Sequence, residues 1–350
     1  MGRLLTKFSA FRKLYFLSKQ EVETFLNSFG LFSRVDGVSD RGDWESGKSH
    51  ATFMVDSKDT QQLLDYYGVL NRLCALGNVE KMYIPPLLDE KKGVYENQLL
   101  FEEKLVNEMG LDRDSVVLEL GCGVGKIAEH IQTCSGATVY GLNIDPIQIH
   151  VANRRRVCKK LKLQVGNFNE RLPFDDETFD AVYAVQPLTY VHDLDILFKE
   201  VYRILKPGGR CCYLDAVMKG DFHNTDAKEH QLFQECRQVV GLGGFWFQGP
   251  EGGYFTSAME RSGFTILKNY DMSINGVQGP LIKREMQHFR NMEVLLKRAE
   301  RYVPCLVPKH LSLLSERLNH GIGSFIEMDE RQLITTSWFI SATKPTHSDM

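Results

Sequence analysis

The chain has no run of eighteen apolar residues, so no segment of it is long and greasy enough to cross a bilayer as a helix. It has no excess of basic charge either. Forty-two Lys and Arg against 45 Asp and Glu give a net charge of −3, whereas nucleic-acid-binding domains carry a basic stripe, so nucleic acid is not an expected partner. Its eight cysteines, at positions 74, 122, 134, 158, 211, 212, 236 and 305, have no metal-ligand spacing, and no metal site is expected. Neighbouring Cys211 and Cys212 suit a buried strand better than a bridge. Scattered thiols with no leader segment point to a reducing compartment. The expected location is the cytoplasm or the periphery of an intracellular membrane.

One motif is present in letter only. Gly42-Asp43-Trp44-Glu45-Ser46-Gly47-Lys48-Ser49 matches a phosphate-binding loop, but that loop needs an apolar strand before it. Here the preceding residues are polar and broken, and Asp43 and Glu45 would repel phosphate.

The informative stretch is Val116-Val117-Leu118-Glu119-Leu120-Gly121-Cys122-Gly123-Val124-Gly125. It reads as a short buried strand containing one acid, then three alternate glycines, then a helix from Lys126. Glycines between strand and helix let backbone approach a ligand that side chains would block. Residues 137–142 read as a second strand ending at Asn143, placed to hold ribose hydroxyls. Leu163-Gln164-Val165-Gly166 leads to Asn167 and Phe168, and residues 179–185 read as a fourth strand. Leu197 to Leu205 then forms a helix that ends in the turn Lys206-Pro207-Gly208-Gly209.

This order of motifs resembles the S-adenosylmethionine (SAM) methyltransferases. The resemblance implies an α/β fold with a doubly wound, Rossmann-like sheet, and SAM as cofactor. It places Glu119, Gly121, Gly123, Gly125, Asn143, Asn167, Phe168 and Gln186 around SAM, with the acid near the methionine end and Asn167 and Phe168 beside the adenine. From Asp59 to Pro345 the chain is similar, more specifically, to sterol C-methyltransferases. Lys199 to Gly209, Gly141-Leu142-Asn143 with Gln148-Ile149, and Thr178 to Ala184 carry that similarity. The final helix from Lys309 and the last strand into Lys344-Pro345 match the family's substrate-side domain. The implied organisation is a basic amphipathic segment and loop at 1–57, a helical cap at 58–110, a SAM-binding core at 111–265 and a C-terminal sterol-methyltransferase domain at 266–345. The last strand is expected to join the end of the sheet.

The family's pattern breaks where it stabilises a carbocation. Its aromatic-acidic run aligns with Cys74-Ala75-Leu76-Gly77-Asn78, its Glu after the fourth strand with Gln186, and its His four positions on with Tyr190. An acid-bearing loop aligns near Gly241 to Gly244, which has no acid. Three missing acids suggest a different transition state: an enolate at carbon 4 of a 3-oxo sterol, as in the nematode 4-C-methyltransferases. That chemistry needs a donor to the oxygen and a base. Tyr190 as donor, with His192 or Asp215 as base, are the candidate catalytic residues. The ordinary readings are a pocket wall, a surface residue and a cap. Methylation of a side-chain alkene at carbon 24 is the alternative. An inactive sterol- or SAM-binding protein, or an enzyme acting on a small amine or phenol, are others.

The first twenty residues interleave Arg3, Lys7, Arg12, Lys13 and Lys19 with apolar residues and contain no acid. They read either as a helix packed on the domain or as a peripheral membrane contact. Met1 to Thr6 also fits the loose myristoylation pattern. A sterol is the expected partner, and oligomerisation stays open.

Overall fold

The strand Val116–Leu120 (β1) is apolar on both faces except for its one acid, as a central parallel strand must be. The computed structural model describes residues 11–33, 57–76, 81–155, 158–219, 226–240, 246–302 and 308–346. The phosphate-loop look-alike at 42–49, residues 1–10, Gly77-Asn78 and the glycine run at 241–244 lie outside them.

Around β1 the sheet is doubly wound. Thr138–Asn143 (β2) and Leu161–Val165 (β3) follow on one side, and Phe179–Val185 (β4) and Leu205–Met218 (β5) on the other, all in parallel. Strand order therefore reverses at β1, and ligands of such sheets bind outside the carboxyl ends at that switch. The Lys-Pro-Gly-Gly turn lies inside β5. The β4–β5 register jumps there, from Phe179 opposite Leu205 to Ala181 opposite Arg210.

The last strand, Ile334–Thr343 (β9), departs from expectation. It runs antiparallel between β5 and Thr265–Asp271 (β8), not at the sheet's end. Nine of its ten residues are buried, which an edge position would not produce. β8 is the strand beyond it, and its alternation of half-buried and exposed residues suits an edge. The short Trp246–Gly249 (β6) pairs with the tip of β5 and with Gly252–Gly253 (β7).

Helices cover both faces. One face packs against Leu194–Ile204 (α6) and Tyr254–Arg261 (α8). α6 buries Leu194, Leu197, Phe198, Val201 and Ile204, the stripe of a 3.6-residue period, and Asp193 caps it by accepting from the Ile196 amide. The other face packs against Val94–Met109 (α3), Lys126–Ser135 (α4) and Pro146–Arg155 (α5).

A third apolar cluster is helical. Lys19–Ser33 (α1), Ser57–Leu76 (α2), Ala227–Val240 (α7), Gly279–Tyr302 (α9) and Lys309–Glu330 (α10) converge beside Tyr190, Ala216 and Met218. Residues from both ends of the chain thus build one cap. Asp329 near the end of α10 accepts from the Gln278 and Gly279 amides, both at 2.7 Å, and so caps α9. The described part of the amphipathic N-terminal segment joins the cap through buried Leu14 and Leu17, and His310 bonds the Leu14 carbonyl at 2.9 Å. Phe11 and Phe16 of the same segment are exposed. No helix among the described residues is long and apolar enough to cross a membrane.

Candidate active site

The carboxyl ends of β1, β2 and β4 open onto one cavity, which the cap roofs with α2 and the segment that follows it. The loop after β1 holds its shape through backbone. Gly121, Gly123 and Gly125 have φ of 71°, 53° and 73°, the left-handed region that a Cβ disfavours. The Gly121 and Cys122 amides donate to the Leu142 carbonyl at 2.8 and 3.1 Å. The Gly123 amide donates to Asn143 Oδ1 at 3.2 Å, and Asn143 Nδ2 donates to Gln148 Oε1. The loop is thereby tied to β2. A Cβ on Gly121 would lie 2.5 Å from that of Pro187, so the approach of backbone to the β4 side is closed to any side chain.

Glu119 points from β1 into this cavity. It is 1% exposed, and the Tyr183 hydroxyl donates to its Oε2 at 3.0 Å. Burial pushes its carboxyl up to about 8, although the Tyr183 bond opposes that rise; Glu102 adds to it and Lys81 reduces it. At neutral pH the acid is mostly protonated, and it stands ready to ionise beside a cation.

The cap side of the wall is different. Leu63, Tyr67, Ile144, Phe168 and Tyr190 line the cavity and also belong to, or pack on, the helical cluster. Tyr67 and Tyr190 meet hydroxyl to hydroxyl at 2.7 Å, with rings edge to face at 6.3 Å. Burial holds the Tyr190 phenol well above its ordinary range, so it stays protonated. Among the described lining residues the only acids are Glu119 and Asp145, and both come from the sheet side. Asp145 is occupied as a cap, accepting from the Ile147 and Gln148 amides at the start of α5.

The sequence candidates do not all reach the cavity. Glu119, Gly121, Gly123, Asn143, Asn167, Phe168, Gln186 and Tyr190 line it. Gly125 does not; it precedes α4, and a Cβ there would strike Leu163. Gln186 lines the cavity, yet its amide is engaged elsewhere. Nε2 donates to the Ile84 and Thr336 carbonyls at 2.7 and 2.8 Å, and Oε1 accepts from the Ile84 amide at 3.1 Å. It stitches the cap segment to β9, with its own backbone at φ 59°. Asp215 is not on the cavity wall. Its carboxylate accepts from the Leu188 and Ala216 amides at 2.8 and 2.7 Å, and burial raises it to about 7 against those bonds. This is the geometry of a cap that fixes the turn carrying Tyr190. His192 is also off the wall, and its amide donates to Asn169 Oδ1 at 2.9 Å.

Sequence reasoning did not single out Tyr67, Asn169, Lys81 or Tyr83 as site residues, and all four line the cavity. Asn169 also donates to the Tyr190 carbonyl at 2.9 Å, so it holds the Tyr190–His192 segment in place. A tyrosine doublet within an amphipathic helix was the one visible signal for Tyr67.

Residues 118–213 match the family described as a methyltransferase domain. A sterol 24-C-methyltransferase from Gibberella zeae is 27% identical over 267 residues, which is 70% of this chain and 69% of that one. Squalene methyltransferase 2 from Botryococcus braunii is 31% identical over 51% of this chain and 47% of its own. The geranyl diphosphate C-methyltransferase of Streptomyces coelicolor A3(2), solved with S-adenosyl-L-homocysteine, superposes with a TM-score of 0.53 at 18% identity, over 77% of this chain and 93% of that one. At that identity the likeness is one of fold alone. The fold, the glycine loop and these matches are those of the SAM-dependent methyltransferase class, with the methyltransferase domain at residues 118–213. Within that class, the curated relatives it resembles include sterol 24-C-methyltransferases. Apart from the first relative, the match spans about half the length of the curated relatives, 45% and 48% for the next two.

Proposed function

We propose that the protein transfers the methyl group of SAM to a sterol carbon, at the side-chain alkene around carbon 24. The observation that carries this reading is a cavity with two unlike walls. Its sheet side offers a glycine cradle and a buried acid, and its cap side offers aromatic rings and aliphatic carbon.

The sheet side fits SAM. A Cβ on Gly121 would strike Pro187 on the cavity wall. Glu119 supplies a carboxylate for an ammonium group, and Asn143, braced by Gln148, supplies an amide for ribose hydroxyls. When bound, SAM supplies an electrophilic methyl group. The residues of this chain orient the acceptor and stabilise the charge that develops on it. An alkene that takes the methyl group from the sulfonium, which would leave as a neutral thioether, becomes a carbocation; the faces of Tyr67 and Tyr190 would favour it until it loses a proton. The names of the relatives support the alkene. The relatives are named for carbon 24 of a sterol and for squalene, and squalene is an alkene. They favour the side-chain position over the ring position that the missing acids suggested.

One observation favours carbon 4 as a second reading: no carboxylate stands on the cap side among the described residues, while two hydroxyls do. An enolate oxygen needs donors of that kind.

The acceptor class is tested by supplying methyl-labelled SAM with sterols, squalene and small amines in parallel. Label in the sterol fraction supports the proposal. Label confined to water-soluble amines would reject it.

A further inference from the structure

Lys81 is a charged residue that the reaction described above leaves unused. It follows α2, lines the cavity, and is 6% exposed. The fold places it firmly: Gln98 Nε2 on α3 donates to the Lys81 and Tyr83 carbonyls at 3.1 and 2.9 Å. Its Nζ donates to Glu102 Oε2 at 2.5 Å. The same fully buried carboxylate accepts from the Tyr83 hydroxyl at 2.8 Å and lies 2.6 Å from His130 Nδ1.

Burying an ammonium costs several kcal/mol unless its partners are well placed. One N–H of Lys81 goes to Glu102, and an ammonium has three to give. Glu102, in turn, is already served by Tyr83 and His130. Lys81 balances the charge of Glu102, stands 5.6 Å from the Tyr95 ring centroid, has further N–H groups to give, and shares the cavity wall with the buried acid Glu119. An ammonium with N–H groups still to give and a buried acid on one wall suit a ligand with an anion and a cation close together. An α-amino acid zwitterion is such a group, and SAM carries one at its methionine end and no other anion.

We infer that Lys81 receives the α-carboxylate of the methionine end of SAM while Glu119 receives its α-ammonium, so that the pair reads the zwitterion. The inference rests on the reading of this cavity as a SAM site. Tyr83 and His130 act through Glu102, as positioning residues that fix the Lys81 ammonium.

Titration calorimetry on the full chain tests this with two ligands: SAM, and decarboxylated SAM, which keeps the ammonium, the sulfonium and the adenosine. Removing Lys81 alone would leave Glu102 charged and buried, so the informative variant is Lys81→Met with Glu102→Gln, checked for folding by its melting transition, with Lys81→Arg beside it. A charge-assisted hydrogen bond implies that the double variant loses about 10- to 100-fold in affinity for SAM and under about 3-fold for decarboxylated SAM. Lys81→Arg should fall between, and the unaltered chain should prefer SAM by about 10-fold or more. Equal losses for both ligands, or no preference in the unaltered chain, overturn the role of Lys81 and leave the SAM site standing. If the unaltered chain binds neither ligand, the SAM site itself is wrong.

Discussion

The hydroxyls of Tyr67 and Tyr190 meet at 2.7 Å, one from the cap helix α2 and the other from the turn after β4. The contact joins two parts of the chain 123 residues apart and closes the cavity on its apolar side. If the rings stabilise a cation, Tyr190→Phe should keep most of the activity, within about 3-fold, while Tyr190→Leu should lose about 10- to 30-fold in kcat/KM, the scale of a desolvated cation–π interaction. Steady-state kinetics on an alkene sterol decide it. Equal losses for Phe and Leu would mean that the hydroxyl does the work, as enolate chemistry requires.

Glu119 gives the site a pH dependence. Burial raises its carboxyl from 4.5 to about 8 in the ligand-free protein. Its protonated form favours the fold, so its contribution to stability is full below about pH 4.5 and is lost as pH rises through about 8. Glu119→Gln should remove that loss, and its melting temperature should fall less between pH 5 and pH 8.5 than that of the unaltered chain. A bound ammonium favours the ionised carboxylate, so binding SAM at pH 7 should release close to one proton. Calorimetry in two buffers of different ionisation enthalpy measures it. A binding heat independent of the buffer would contradict the assignment.

The glycine loop separates conformation from contact. Gly121 and Gly110 both have positive φ, 71° and 65°, but a Cβ on Gly121 meets the Pro187 ring at 2.5 Å, whereas one on Gly110 meets nothing within 4 Å. Gly110→Ala should cost only about 1 kcal/mol from backbone strain and leave SAM affinity unchanged. Gly121→Ala should cost more and abolish SAM binding. Similar melting temperatures for the two variants would count against the cradle.

Gln186 stands where the resemblance places a glutamate. A carboxylate cannot donate to the Ile84 and Thr336 carbonyls that Gln186 Nε2 holds. Gln186→Glu should therefore destabilise the fold by about 1–3 kcal/mol, the cost of unsatisfied buried acceptors. Thermal denaturation checks it. A variant that melts like the unaltered chain and gains activity would mean that this position is catalytic, not a clamp.

The parallel half of the sheet is legible in the sequence because each strand is a short apolar run closed by glycine or a polar residue, and because Gly121, Gly123 and Gly125 punctuate only one kind of strand-to-helix junction. The place of β9 is not. A buried strand inside a sheet and one at its end can both be apolar, and only the pairing of Ser341 and Trp338 with both β5 and β8 decides between them. The cap side of the site is equally hidden. Tyr67 and Lys81 reach the cavity because α2 folds back over the sheet, a long-range event that local periodicity does not encode. Asp215 reads two ways for a physical reason. An acid near the end of a core strand signals either catalysis or a cap, and its carboxylate accepts from the amides of Leu188 and Ala216 as a cap does.

The most direct test of the central claim is the position of the new methyl group. Purified protein and labelled SAM are given, in parallel, a 3-hydroxy sterol with a carbon-24 alkene and a 3-oxo sterol with a saturated side chain, and each product is assigned by mass spectrometry and NMR. The account predicts methylation at carbon 24 of the first and none of the second. A methyl group on carbon 4 of the ketone, with the alkene untouched, would contradict it.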